Sequence, residues 1–237
     1  MRRLATTFLL ILLPYFVAAQ VGDARSDLSI GVNAGYTLNQ VSFNPTIKQN
    51  WKGGTTLGLT LRYTCEKYLA AICALQAEIN YADLGWEENI EPEYGTDTYY
   101  RQIHYLQIPI LARLAWGREL KGGQFFFLVG PQIGFCLGEK EHYSNPWDGT
   151  KRPNNITQQY GRKVENIFDY GITAGAGVEI SARHVGHFQL EGRYYYGLAD
   201  IFNNSKRDPF GRSANGAIVI KATYLFDLLL TKGVQRR

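Results

Sequence analysis

Apolar and polar residues alternate with a period of two along almost the whole chain, the pattern of strands that carry one apolar and one polar face. In "TLGLTLRYT", Leu57, Leu59, Leu61 and Tyr63 share one face, and Thr56, Gly58, Thr60, Arg62 and Thr64 share the other. In "FDYGITAGAGVEI", Phe168, Tyr170, Ile172, Ala174, Ala176, Val178 and Ile180 alternate with Asp169, Gly171, Thr173, Gly175, Gly177 and Glu179. The same period predicts strands over 28–39, 73–81, 103–116, 188–198 and 217–228, and a further strand at 125–137 is apolar on both sides. That makes eight strands of about nine to fourteen residues, where globular strands usually have about five or six. A strand of about nine to eleven residues, tilted, crosses a bilayer.

Gly171, Gly175 and Gly177 raise the alternative of a phosphate-binding loop. Such a loop needs a strand, a glycine turn and then a helix N-terminus. Here the alternation runs straight through the glycines and no helical pattern follows, so no nucleotide site is predicted. The glycines fall on the polar face, where they would leave room for arginine and glutamate side chains of neighbouring strands.

Connections near 66–70, 117–123 and 182–186 are short, whereas those near 40–54, 82–100, 138–167 and 199–214 are long and polar. Short turns at one end and long loops at the other are the signature of an outer-membrane barrel. The apolar faces lack charge, while the opposite faces carry Arg62, Glu78, Arg113, Glu179, Glu191, Arg193 and Lys221. A charge facing hydrocarbon at mid-depth costs about 2–4 kcal/mol, so these residues should point inward. A soluble sandwich or lipocalin would reverse the faces, and alternation alone does not separate the two. Tyrosines near strand ends (Tyr36, Tyr63, Tyr81, Tyr99, Tyr100, Tyr105, Tyr194 and Tyr196) favour the membrane, since aromatics gather at its interfaces. The expected fold is all-β: an eight-stranded antiparallel up-and-down transmembrane β-barrel with short periplasmic turns and long extracellular loops. Its narrow interior should be filled by an ion-pair network rather than form a pore. Glu191→Ala would cost about 3–5 kcal/mol if its pair is fully buried.

Composition agrees: aromatic residues make up 14% of the chain, with 16 tyrosines and 25 glycines, beside 19% charged residues. The net charge of +4 includes Arg2 and Arg3, and no basic stripe points to nucleic acid. The opening "MRRLATTFLLILLPYFVAAQ" combines those arginines, an apolar run and a Val17-Ala18-Ala19 exit. It reads as a signal peptide over 1–19, and the run is too short to anchor in the roughly 30 Å hydrocarbon core. A short segment at 20–27 then precedes the barrel at 28–228, and a basic tail at 229–237 carries Lys232, Arg236 and Arg237.

Candidate chemistry is sparse. "EKEHYSNPWD" holds His142, Ser144 and Asp148 in the longest loop, but a nucleophile needs its base within hydrogen-bond reach and a third group to orient it; solvated loop residues are expected. His104 lies among tyrosines as an interface residue. His184 and His187 flank a short turn without evident cysteine or carboxylate neighbours, a poor zinc set. Loop 82–100 is acidic (Asp83, Glu87, Glu88, Glu91, Glu93, Asp97) but lacks calcium-loop spacing, and is expected to be a solvated hairpin tip. The sequons at Asn155 and Asn203 carry no weight in an exported bacterial chain. Cys65 and Cys73 flank the first short turn, and export permits a disulfide there, though the register decides it; Cys136 sits within a strand. No catalytic, cofactor-binding or metal residue is assigned. The partners expected are outer-membrane lipid and secretion or envelope proteins, without nucleic acid or nucleotide.

The motifs "LQAEINY", "YLQIPILARL", "FFLVGPQIGF", "FDYGITAGAGVEI" and "EGRYYYGLADIF", in this order, resemble the PorT-like outer-membrane β-barrel family of Bacteroidetes. The resemblance covers nearly all of the mature chain. It implies a barrel in the cell outer membrane of the Gram-negative type. Because the founding member of that family takes part in type IX secretion, it also implies a non-catalytic accessory role in secretion or envelope assembly, through loops, turns and tail. The contrasting class is a lipid-modifying enzyme using the long extracellular loops. The chain departs from the usual ending, continuing after Tyr224-Leu225-Phe226 through "DLLLTKGVQRR".

Overall fold

The computed structural model describes residues 23–95, 97–118, 121–152, 157–182 and 185–231. The predicted signal peptide, Asn155, His184 and the tail cations Lys232, Arg236 and Arg237 lie outside them. Eight long strands form the molecule: β1 (Asp23–Asn44), β2 (Lys52–Tyr68), β3 (Ala71–Glu88), β4 (Tyr99–Gly117), β5 (Gly122–Tyr143), β6 (Phe168–Ala182), β7 (Gly186–Asp200) and β8 (Arg212–Leu229). A two-residue strand at Gln49–Asn50 adds to the edge of β3. Each long strand pairs antiparallel with its chain neighbours, and β1 pairs with β8, so the sheet closes into a ring. Closure leaves no unpaired edge at membrane depth, which hydrocarbon requires because it offers backbone groups no partners.

The strands are longer than the alternation predicts, with 22 residues in β1 and β5 and 15 in β6 and β7. Most of the extra length lies at the long-loop end. There Val41 and Phe43 of β1, and Leu84 and Trp86 of β3, keep the inward phase beyond the apolar belt and are buried. Side chains supply the reason: above the bilayer the strands still have an apolar interior to enclose, so the sheet continues into what reads as polar loop.

The two faces sort as the alternation predicts. Val32, Leu57, Leu59, Ile79, Val129, Ile172, Leu190 and Ile220 stand exposed on the outer wall, while Arg62, Glu78, Arg113, Glu179, Glu191, Arg193 and Lys221 are buried within. Exposed aliphatic residues in closed rows are the lipid-facing band of a membrane barrel. The tyrosine girdle needs correction. Tyr36, Tyr63, Tyr81, Tyr100, Tyr194 and Tyr196 face outward, but Tyr99 and Tyr105 are buried inside. Both share the parity of Ile103 and Leu111, which also point inward.

The glycines of β6 make room for larger neighbours. A Cβ on Gly175 would lie 2.8 Å from Arg193 Cγ, and one on Gly177 would lie 2.8 Å from Glu191 Cβ and 2.6 Å from the Phe126 ring. At Gly171 the neighbour is not a charged residue but the Tyr195 ring, at 2.7 Å. Because a Cβ on Gly175 would also lie 2.5 Å from the Gly192 carbonyl oxygen, Gly175→Ala is expected to destabilise the barrel by about 1–3 kcal/mol, the usual cost of overpacking. Urea unfolding in lipid vesicles measures this, and an unchanged midpoint would contradict the tight fit.

Cys65 and Cys73 are not bonded. Cys65 is the extra residue of a bulge, so that Glu66 rather than Cys65 sits opposite Cys73, and all three cysteines are free.

Candidate functional site: the filled lumen and its two ends

The inward charges separate into two clusters. Near the short-turn end, Glu179 accepts from Arg62 at 2.6 Å and from Arg113 at 2.8 Å. At mid-height, Glu78 accepts from both guanidinium nitrogens of Arg193 (2.6 and 3.0 Å) and from Lys221. Glu191 approaches Arg193 at 2.7 Å and Lys221 at 3.3 Å, yet neither of its oxygens has a well-aligned hydrogen bond. Buried charges persist only when paired and hydrogen-bonded. Gln76, Asn80 and Gln189 supply further amide donors to Glu78 and Glu179.

Below the lower cluster sits a group that the sequence reading missed. Ser181 Oγ lies 2.7 Å from His187 Nδ1, and His187 Nε2 lies 3.0 Å from Asp227, which in turn accepts from Ser29 at 2.6 Å. His187 therefore does have carboxylate neighbours, Glu179 and Asp227, correcting the expectation from its turn. Serine, histidine and aspartate in sequence resemble a hydrolase triad, but the hydrogen bonding around them differs. Glu179 Oε1 lies 3.0 Å from the same His187 nitrogen and 3.2 Å from Ser181 Oγ. The nitrogen that would take the serine proton is thus shared with a carboxylate, and Ser181 is buried beneath its own wall. The group is a latch that ties β6, β7, β8 and β1 together across the closing seam. A cavity of ≈ 40 Å³ beside it, lined by Asp27, Arg62, Arg113, Glu179, His187 and Asp227, has room for water but not for an organic ligand. No cluster of histidine, cysteine and carboxylate groups suited to a metal occurs among the described residues.

The long-loop end is closed by an aromatic cap. Trp86, Phe43, Phe202 and Phe210 pack with ring centroids 5.1–6.4 Å apart. Arg101, 1% exposed, lies over Trp86 and Phe202 and pairs with Glu139 and Glu141 while donating to the carbonyls of Gln159 and Arg162. The acidic segment 82–100 is only in part a solvated tip: Glu93 is exposed, but Glu88 and Asp97 hold the neighbouring loop. Glu88 accepts from Gln159 and Tyr160 at 2.6 Å each, Asp97 accepts from the Asp148 amide, and Glu91 pairs with Lys48. Burial and then the adjacent Glu88 carboxylate push the Tyr160 phenol well above its ordinary range, so it remains a donor at any physiological pH.

The three residues of "EKEHYSNPWD" do not converge. His142 stacks on Tyr100 at 4.3 Å, Ser144 Oγ accepts from the Thr98 amide, and Asp148 accepts from Thr150. His104 stacks on Tyr81 and contacts Asp83 on the outer wall.

Ions and aromatics fill the lumen among the described residues, and a cavity at mid-height is only ≈ 20 Å³. Reconstituted in planar bilayers, the protein should give no stable stepwise conductance, and large sustained steps would contradict the filled interior.

A closed eight-stranded sheet with aliphatic residues outside and paired charges inside is a transmembrane β-barrel of the bacterial outer membrane. The chain belongs to the outer membrane protein beta-barrel domain family, whose model matches residues 18–203, and its location is the Gram-negative outer membrane. Similar solved structures include Ail, the attachment invasion locus protein of Yersinia pestis (13% identity, TM-score 0.36, covering 86% of this chain and 99% of that one). Others are Neisserial surface protein A (10% identity, TM-score 0.44, 84% and 95%) and OprG from Pseudomonas aeruginosa (12% identity, TM-score 0.44, 86% and 98%). Comparison with curated protein sequences gave no match.

Proposed function

We propose that this barrel is non-catalytic and works by contact, as an accessory of protein secretion of the type IX kind or of envelope assembly. The observation that carries the reading is the filled lumen: ion pairs below and an aromatic cap above leave the two ends and the outer wall as working surfaces. The resemblance of its strand motifs to the PorT-like family supports the secretion pathway in particular. The partners proposed are outer-membrane lipid around the belt and secretion or envelope proteins at the ends. On the short-turn side the basic tail would meet an acidic periplasmic partner by charge complementarity.

Deleting the gene and measuring both secreted proteins and lipid A tests this, followed by complementation with a chain ending after Leu230. Reduced secretion with unchanged lipid A is expected, with incomplete rescue by the shortened chain. Normal secretion combined with altered lipid A would overturn the reading in favour of a lipid-modifying enzyme.

A further inference from the structure

Strand β5 outlasts its partner β6. The β5–β6 ladder ends at Phe135 opposite Phe168, whereas β5 continues to Tyr143, paired only with β4. A bulge between Cys136 and Gly138 resets the phase, and Ser144 N then donates across to Thr98 O at 3.0 Å. Alternation along a strand therefore turns the backbone groups of Tyr143, Glu141 and Glu139 away from β4. None of the three has a backbone partner on that side among the described residues.

Among the described residues, the neighbouring loop does not pair with this edge. Its Val164 and Gly161 amides donate to the Glu139 and Glu141 carboxylates at 2.7 and 3.0 Å, and those side chains point into the barrel. The stretch from Gly161 to Val164 thus sits behind the strand, and among the described residues the chain rejoins β5 where Cys136 N donates to Ile167 O, at 2.8 Å. At Gly138 a Cβ would meet nothing within 4 Å. The outer side of the edge presents Lys140, exposed, with His142 stacked on Tyr100 above it and exposed Leu137 and Ile167 below.

We propose that the extracellular edge of β5, over Glu139–Tyr143, docks an extended segment of another polypeptide by strand addition. The segment would place an acidic side chain against Lys140 and an apolar one beside Leu137. This rests on the reading of the barrel as a contact protein and names one contact. Free N–H and C=O groups at strand spacing are complementary to extended backbone, which selects a peptide over a sugar or a lipid. A second copy does not fit. Two barrels inserted the same way and related by a two-fold axis along the membrane normal would bring these edges together in parallel, and a parallel ladder is not self-complementary about such an axis.

The test uses the full chain in lipid nanodiscs and a synthetic peptide alternating valine and threonine around one glutamate. A control peptide is N-methylated on the amides that would face the edge. Amide exchange read by NMR should be fast at Glu139, Glu141 and Tyr143 in the free protein. It should slow by about tenfold or more with the first peptide, as for a mostly closed pairing, and stay fast with the control. Lys140→Glu, on an exposed side chain, should weaken the protection while leaving heat-modifiable migration intact. Slow exchange at these amides in the free protein, equal protection by both peptides, or no protection by either would overturn the proposal. Secretion measured in the deletion strain is independent of these amides, so failure here leaves the broader reading to its own test.

Discussion

Replacing Glu78 by alanine should destabilise the barrel by about 3–5 kcal/mol, the usual cost of stripping one partner from a buried ion pair. Glu78 is the shared acceptor of Arg193 and Lys221, whose side chains are only 4% and 2% exposed. Without it, two cations remain facing Glu191 alone, whose oxygens are close to both but poorly aligned with either. The geometry therefore ranks the two carboxylates. Glu191→Ala should cost less than Glu78→Ala, although the sequence gives no reason to separate them. Combining Glu78→Ala with Lys221→Met should recover part of the loss, because an apolar side chain leaves fewer unpaired charges. Urea unfolding in vesicles, followed by heat-modifiable gel migration, reads all three. Equal midpoints for Glu78→Ala and the parent would show that the network contributes nothing to stability.

Trp86→Ala should have an effect of the same order, about 3–5 kcal/mol for a fully buried aromatic residue, but in a different place. Its ring touches Phe43, Tyr99 and Phe202 and lies under the Arg101 guanidinium, so its loss removes the centre of the cap. The cluster reaches down to Tyr105, Tyr195 and Ala217 on the barrel strands, but the ion-paired lumen below it holds independently, and the transmembrane ladders should survive. The expected result is protease cleavage within 144–167 on intact vesicles, with the membrane-embedded fragment still protected. Loops as resistant as those of the parent would mean that the clamp of Glu88, Glu141 and Arg101 holds them without the aromatic centre.

The barrel and the sign of its faces are legible in the sequence because strand parity is a local property. Each of Arg62, Glu78, Glu179 and Lys221 sits at the position opposite an unbroken apolar row. Parity also carries more than the residue types alone suggest. Tyr99 and Tyr105 share the odd positions of Ile103 and Leu111, and following that phase, rather than the general habit of tyrosine at interfaces, places them inside. The same extension puts Ser181, His187 and Asp227 on inner faces. What no local pattern supplies is the register between strands, and the latch depends on it: Ser181 lies opposite His187, and His187 opposite Leu225, two residues from Asp227. The bulge that separates Cys65 from Cys73 is hidden for the same reason, as is the docking of Glu88 onto a loop roughly seventy residues away.

The seam between β1 and β8 runs from Leu28 opposite Leu229 to Asn44 opposite Arg212, and it joins the two ends of the sheet. Every other main ladder links strands adjacent in the chain, so seven of them can form as hairpins while this one waits for the rest. The entropy of closing so long a loop grows only logarithmically with its length; timing is the harder problem. Until the seam closes, β1 and β8 each expose a row of backbone groups that cost several kcal/mol apiece in hydrocarbon. Insertion and closure are therefore expected to be coupled, and a chain arrested before β8 should lack a stable partial structure within the bilayer.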